Sequence, residues 1–165
     1  MTRIESLLPG RVFQVAFVVR DLDAALGRYT GLLGGAPWRC YAFSAAIHRS
    51  ASYRGGPTDF SVRLALSDTS PQYELIEPQR GPGIHADWLE ERGEGFHHLG
   101  VVVDSLDEAT ARMKAAGYDT VQTGAGFGGD GDGAYAYFDT TRDLGFVVEA
   151  VEPPGRMPDP DRIWP

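Results

Sequence analysis

The sequence predicts an α+β fold: two tandem β-α-β-β-β modules whose strands build a curved, partly closed sheet, with the helices outside. Three observations predict it. The run Gln14-Val-Ala-Phe-Val-Val-Arg-Asp-Leu-Asp-Ala-Ala25 is answered by His98-Leu-Gly-Val-Val-Val-Asp-Ser-Leu-Asp-Glu-Ala109, so an internal repeat sets the architecture. Glu74-Leu-Ile-Glu-Pro78 is answered by Glu149-Ala-Val-Glu-Pro153. Between these landmarks each half has room for two more short strands.

In each half a β-branched apolar run gives way to Asp-rich polar residues and then to a helical pattern, which reads as strand then helix. The first module spans about residues 10–78. Asp21 or Asp23 is placed to cap a helix over Leu22 to Leu33, because a short oxygen side chain accepts from unpaired helix N–H groups; Gly34-Gly35 ends it. Strands follow at Trp38 to Phe43, Asp59 to Leu66 and up to Pro78, which cannot continue a ladder. The polar, Gly-containing stretch Ser44 to Pro57 reads as a mobile lid. A linker, residues 79–94, carries a short helix around Ile84 to Glu91, on which His85 is expected to be exposed.

The second module spans about residues 95–153. Asp104 or Ser105 caps a helix from Leu106 to Ala116, which Gly117 stops. Strands are expected at Asp119 to Thr123, Gly133 to Phe138 and from Gly145 to Pro153. Gly124 to Gly133 lacks the Lys-Ser/Thr ending of a phosphate-binding loop and reads as a hairpin loop bordering a cleft. The Pro-rich tail, 153–165, is expected to be extended, with Trp164 packed on the body or on a second subunit.

Composition narrows the function. Of 165 residues 42% are hydrophobic, enough for a sizeable core. A net charge of −8 argues against a nucleic acid or an anionic membrane as partner. No run approaches the roughly 20 apolar residues of a membrane span, and Met1 to Gly10 lacks the apolar stretch of a signal peptide. The single cysteine, Cys40, permits no intrachain disulfide and reads as a packed small residue. Together these point to a cytoplasmic protein.

Strand side chains alternate between faces, so Gln14 and Ala16 share a face, as do His98 and Gly100. If the first and last strands of each half are neighbours, Gln14 with Glu74 and His98 with Glu149 converge from the two halves. Two carboxylates and an imidazole on apolar strands are costly unless compensated, and a divalent cation compensates them. Gln14, Glu74, His98 and Glu149 are therefore the expected ligands of one divalent ion. Zn, Ni, Co and Mn all suit this oxygen-rich set with a single nitrogen. His97 is expected to point the opposite way.

These landmarks resemble the vicinal oxygen chelate superfamily, which includes glyoxalase I, methylmalonyl-CoA epimerase, extradiol dioxygenases and bleomycin-binding proteins. The resemblance spans Val12 to Pro153. It implies the same four metal ligands and a homodimer. Trp88-Leu-Glu-Glu-Arg-Gly-Glu-Gly-Phe-His-His-Leu-Gly100 looks like the epimerases, whereas the Gln/Glu/His/Glu set is similar to that of eukaryotic glyoxalase I. The strand Phe60 to Leu66 has no carboxylate where epimerases carry a glutamate base. Val18 and Pro78 stand where glutathione-binding residues occur in glyoxalase I.

The expected activity is that of a metal-dependent isomerase, epimerase or lyase. Its substrate is a carbonyl-containing small molecule, reacting through an enediolate-type intermediate with Glu149 and Glu74 as the catalytic carboxylates. An extradiol-type dioxygenase, which needs two His and one carboxylate, and a non-enzymatic antibiotic-binding protein are the alternatives. Trp38, Tyr41, His48, Tyr53 and Arg54 are the candidate substrate contacts.

Overall fold

The structure, a computed structural model, describes residues 6–165; the opening residues of the stretch read above for a signal peptide lie outside it. Its strands are β1 (Arg11–Val18), β2 (Trp38–Ser44), β3 (Ser50–Tyr53), β4 (Gly56–Pro57), β5 (Ser61–Ser67), β6 (Gln72–Arg80), β7 (Gly95–Val102), β8 (Thr120–Phe127), β9 (Gly133–Phe138), β10 (Val147–Glu152) and β11 (Arg162–Trp164). Its helices are α1 (Leu22–Leu33), α2 (Ile84–Arg92), α3 (Leu106–Ala115) and the single turn α4 (Thr141–Leu144). The strands form one curled sheet that does not close, in the order β11-β2-β5-β6-β1-β7-β10-β9-β8-β3-β4.

The repeat shows in the pairing. β1 pairs parallel with β6 and β7 parallel with β10, as each helical crossover requires, and β1 and β7 join antiparallel at the centre. Asp21 caps α1, its side chain accepting from the Ala24 N–H at 3.0 Å, and Ser105 caps α3, accepting from Glu108 N–H at 3.2 Å. α1 buries Leu22, Ala25 and Leu26 against Val19, Trp38, Ala65 and Leu75. α3 buries Ala109 and Met113 against Val101, Ala136, Phe138 and Ala150. Cys40 is buried in the first of these clusters, a packed apolar group.

Three segments differ from expectation. Ser44 to Pro57 is not a free lid: a 3-10 turn at Ala45–Ile47 leads into the β3–β4 hairpin, and β3 pairs antiparallel with β8 of the other half. The unpaired edge of β8 supplies a ladder that local sequence does not reveal. β6 runs through Pro78 to Arg80, still pairing with β5, and the proline is tolerated because β1 no longer pairs with β6 beyond Ile76. The tail, by contrast, is extended as expected and ends in β11, which pairs antiparallel with β2 and sets Trp164 opposite Trp38. Residues 141–144 add the turn α4. No helix among the described residues is long and apolar enough to cross a membrane.

Candidate functional site

The sheet register brings the four expected ligands together. Glu74 on β6 faces Ala16 on β1, and Ala16 faces His98 on β7. In the adjoining row Gln72, Gln14, Gly100, Glu149 and Tyr137 lie side by side across β6, β1, β7, β10 and β9. Because side chains of alternate residues share a face, these two rows make one polar floor. Gln14, Glu74, His98 and Glu149 are 6%, 8%, 0% and 5% exposed. His98 Nε2 lies 3.2 Å from a Glu149 oxygen and 3.5 Å from a Glu74 oxygen. Gln14 donates from Nε2 to Gln72 Oε1 at 2.9 Å, which leaves its own Oε1 for another partner.

Gly100 sits between Gln14 and Glu149 in the second row. A Cβ there would come within 3.0–3.1 Å of the Phe13 ring and the Gln14 side chain. The glycine is required by close packing at this point: a side chain here would displace Phe13 or Gln14.

Charge makes this floor unstable by itself. Burial, with the Glu149 carboxylate adding to it, pushes the Glu74 carboxyl well above its ordinary value. Burial, with both carboxylates adding to it, likewise raises the Tyr137 phenol well above its usual range. His98 Nε2 is buried with no hydrogen-bond partner among the described residues. An orphaned imidazole nitrogen between two buried carboxylates, beside a free amide oxygen, fits a divalent cation in charge and in donor type.

His97 departs from strict alternation. Ala16 pairs with His98 and Phe17 with Phe96, so His97 is an extra residue in β7, a β-bulge. The bulge turns His97 to the same side as His98. It is wholly buried, and the two Nδ1 atoms lie 2.8 Å apart, a hydrogen-bond distance. Burial drives the His97 imidazole well below its ordinary value, so the ring is neutral; with His98 Nε2 kept free for a cation, the His98 Nδ1–H would donate to it. That contact turns His98 Nε2 toward the carboxylates.

His85 is 5% exposed, contrary to the expectation of a surface position. α2 packs against β6 and β1, which sets the His85 ring 4.9 Å from His97 and 5.3 Å from Tyr137. Burial lowers its pKa to about 3. Donor atoms of His85, His97 and His98 all lie within 4.8 Å of one another, so this cluster too has the composition of a metal site. Nε2 of all three rings lacks a hydrogen-bond partner among the described residues, but the Nδ1–Nδ1 contact engages His97 with His98, and it is His98 Nε2 that lies beside the two carboxylates, which favours the carboxylate side. Sequence reasoning missed both rings because neither a bulge nor the seat of a linker helix has a local signature.

The floor opens into a cavity of about 230 Å³. Its walls are apolar and largely aromatic, with Phe43, Phe60, Leu64, Phe127, Val151 and Met157 among them. The five candidate substrate contacts lie elsewhere. Trp38 is wholly buried beneath α1, donating to Thr30 Oγ1 at 2.8 Å. Tyr41 packs in the cluster behind the wall. His48 stacks among Phe43, Phe60, Phe127 and Tyr135, its Nδ1–H donating to Ser44 O at 2.8 Å. Tyr53 and Arg54 bind Asp87 on α2, tying the hairpin to the linker helix.

Comparison with known proteins agrees with this architecture. No curated protein matches the chain. Solved structures do, over nearly their whole length. Streptomyces coelicolor methylmalonyl-CoA epimerase in complex with 2-nitronate-propionyl-CoA is 21% identical, with a TM-score of 0.61 over 86% of this chain and 96% of its own. The Mycobacterium tuberculosis methylmalonyl-CoA epimerase is 23% identical, with a TM-score of 0.57 over 93% of each chain. A hypothetical protein of Bacillus halodurans C-125 is 19% identical, with a TM-score of 0.60 over 92% of this chain and 99% of its own. At these identities the likeness is one of fold. The family model described as Glyoxalase/Bleomycin resistance protein/Dioxygenase superfamily matches residues 13–138, and the chain belongs to that superfamily.

Proposed function

We propose that this protein is a divalent-metal-dependent isomerase or epimerase that moves a proton on a carbon beside a carbonyl group. One observation carries the reading: two buried carboxylates, one from each half, lie within 3.2–3.5 Å of a single imidazole nitrogen on the floor of an apolar cavity. Gln14, Glu74, His98 and Glu149 would hold the ion. When bound, it supplies Lewis acidity to the substrate oxygen. The Glu149 and Glu74 carboxylates take a proton from the substrate carbon and return it, each approaching from its own half. His98, oriented by His97, holds the floor in place, and the apolar walls exclude water from the exchanging proton. The epimerase activity named for the solved relatives supports this class of reaction.

The test is titration of the metal-stripped protein with Zn, Ni, Co and Mn ions. One equivalent should bind, His98→Ala should abolish binding, and Glu149→Gln should weaken it while leaving measurable occupancy. In deuterium oxide the loaded protein should exchange the α-hydrogen of aromatic α-hydroxy ketones, and loaded Glu149→Gln should not. Wild-type binding unaltered by His98→Ala would sink the assignment.

A further inference from the structure

We infer that the part of the substrate seated in this cavity is an uncharged apolar body of one or two rings. The inference rests on the reading of the floor as a metal site and extends it to the rest of the cavity. Polar groups are segregated: Gln14, Gln72, Glu74 and Glu149 lie on the floor, with His85 and the phenols of Tyr135 and Tyr137 beside them. The other lining residues are aromatic, aliphatic or proline, and no Lys or Arg is among them.

Charge balance makes the segregation decisive. The two floor carboxylates balance a divalent ion, so the loaded floor has no surplus positive charge to pair with an anion. A carboxylate, sulfonate or phosphate on the body of a ligand would be desolvated against Phe43, Phe60, Leu64 and Phe127 without a counter-charge. An aromatic ring there meets other rings edge-on and buries apolar surface. Phe43 and Phe127 already pack edge-on with centroids 5.7 Å apart, and the Tyr135 ring lies tilted to them at 6.4 and 5.8 Å. The cavity of about 230 Å³ suits a body of one or two rings. The tail encloses this body: Pro153, Pro154 and Met157 line the cavity just before the chain reaches β11.

Two probes of nearly equal shape separate charge from size: 2,3-dihydroxynaphthalene, and its 6-sulfonate, which carries an anion at the end away from the diol. Calorimetric titration of the zinc-loaded protein should show the neutral diol binding at least tenfold more tightly. Val62→Phe or Leu66→Phe, whichever keeps a cooperative melt, narrows the cavity and should weaken the diol by a similar factor. Equal affinity, preference for the sulfonate, binding of neither, or binding untouched by the narrowed cavity each overturns the inference. The same pair on zinc-stripped protein separates this failure from that of the metal reading. If zinc does not bind and the neutral preference persists, the cavity assignment stands and the metal reading falls. If zinc binds and the preference is absent, the reverse holds.

Discussion

The Glu74 carboxyl concentrates the energetic tension of this protein. It is buried beside a second carboxylate, and burial raises its pKa in the folded chain. The sign of the consequence follows from linkage: the folded, metal-free state binds a proton more tightly than the unfolded one, so stability falls as pH rises above the unfolded carboxyl value of about 4.3. Metal-free Glu74→Gln should therefore melt higher than metal-free wild type at pH 8. The gain should be a few °C, at roughly 2–4 °C per kcal/mol, and should vanish near pH 4. Differential scanning calorimetry across pH checks it, and a wild-type melt that rises between pH 5 and 8 would refute it. Gly100 is the second decisive residue. Gly100→Val would press on the Gln14 side chain and push its amide oxygen out of place, and should lower metal affinity at least tenfold while leaving the far-ultraviolet spectrum intact. His97→Phe keeps the bulk of the ring but removes the acceptor for His98. Affinity should drop by about 10–100-fold, the usual cost of losing a ligand's orienting partner.

At the level of elements, long-range pairing holds segments that their own composition leaves unspecified. The β3–β4 hairpin combines Ser52, Tyr53 and Arg54 with a Gly turn, and no local pattern marks it as a strand. It is ordered because β8 offers a free edge and Asp87 on α2 accepts from both Tyr53 and Arg54. Asp87→Ala should leave the global melt nearly unchanged, since the Arg54 pair is surface-exposed and solvent screens it. Amide exchange at Ser52 and Tyr53 should nevertheless quicken, which hydrogen-exchange mass spectrometry reads. α1 and α3 behave in the opposite way. Their caps, Asp21 and Ser105, and their buried stripes were legible residue by residue, because capping and 3.6-residue periodicity are local physics.

For the whole molecule, the two halves meet along β1 and β7, and the tail returns to the outer strand of the first half. Trp164 packs half-buried against the cluster around Trp38, while its neighbours Arg162, Ile163 and Pro165 stay exposed, so this one side chain ties the tail to the body. Trp164→Ala should lower the melting temperature by about 2–6 °C, corresponding to roughly 1–2 kcal/mol of lost packing. Equilibrium unfolding monitored by tyrosine and tryptophan fluorescence measures it.

The repeat, the helices, the α+β class and the four polar landmarks follow from the sequence by itself, since each rests on periodicity, caps or a spacing that recurs in the chain. Three things were decided only in three dimensions. The bulge at His97 depends on a register shift between β1 and β7, so strict alternation placed that ring on the wrong face. His85 is buried because α2 lies against β6 and β1, a docking that its weak amphipathicity does not encode. The apolar walls combine residues from both halves and the tail, far apart in the chain, and their chemistry exists only once the sheet curls. Local forces write the elements, but a cavity belongs to the surfaces that packing brings together.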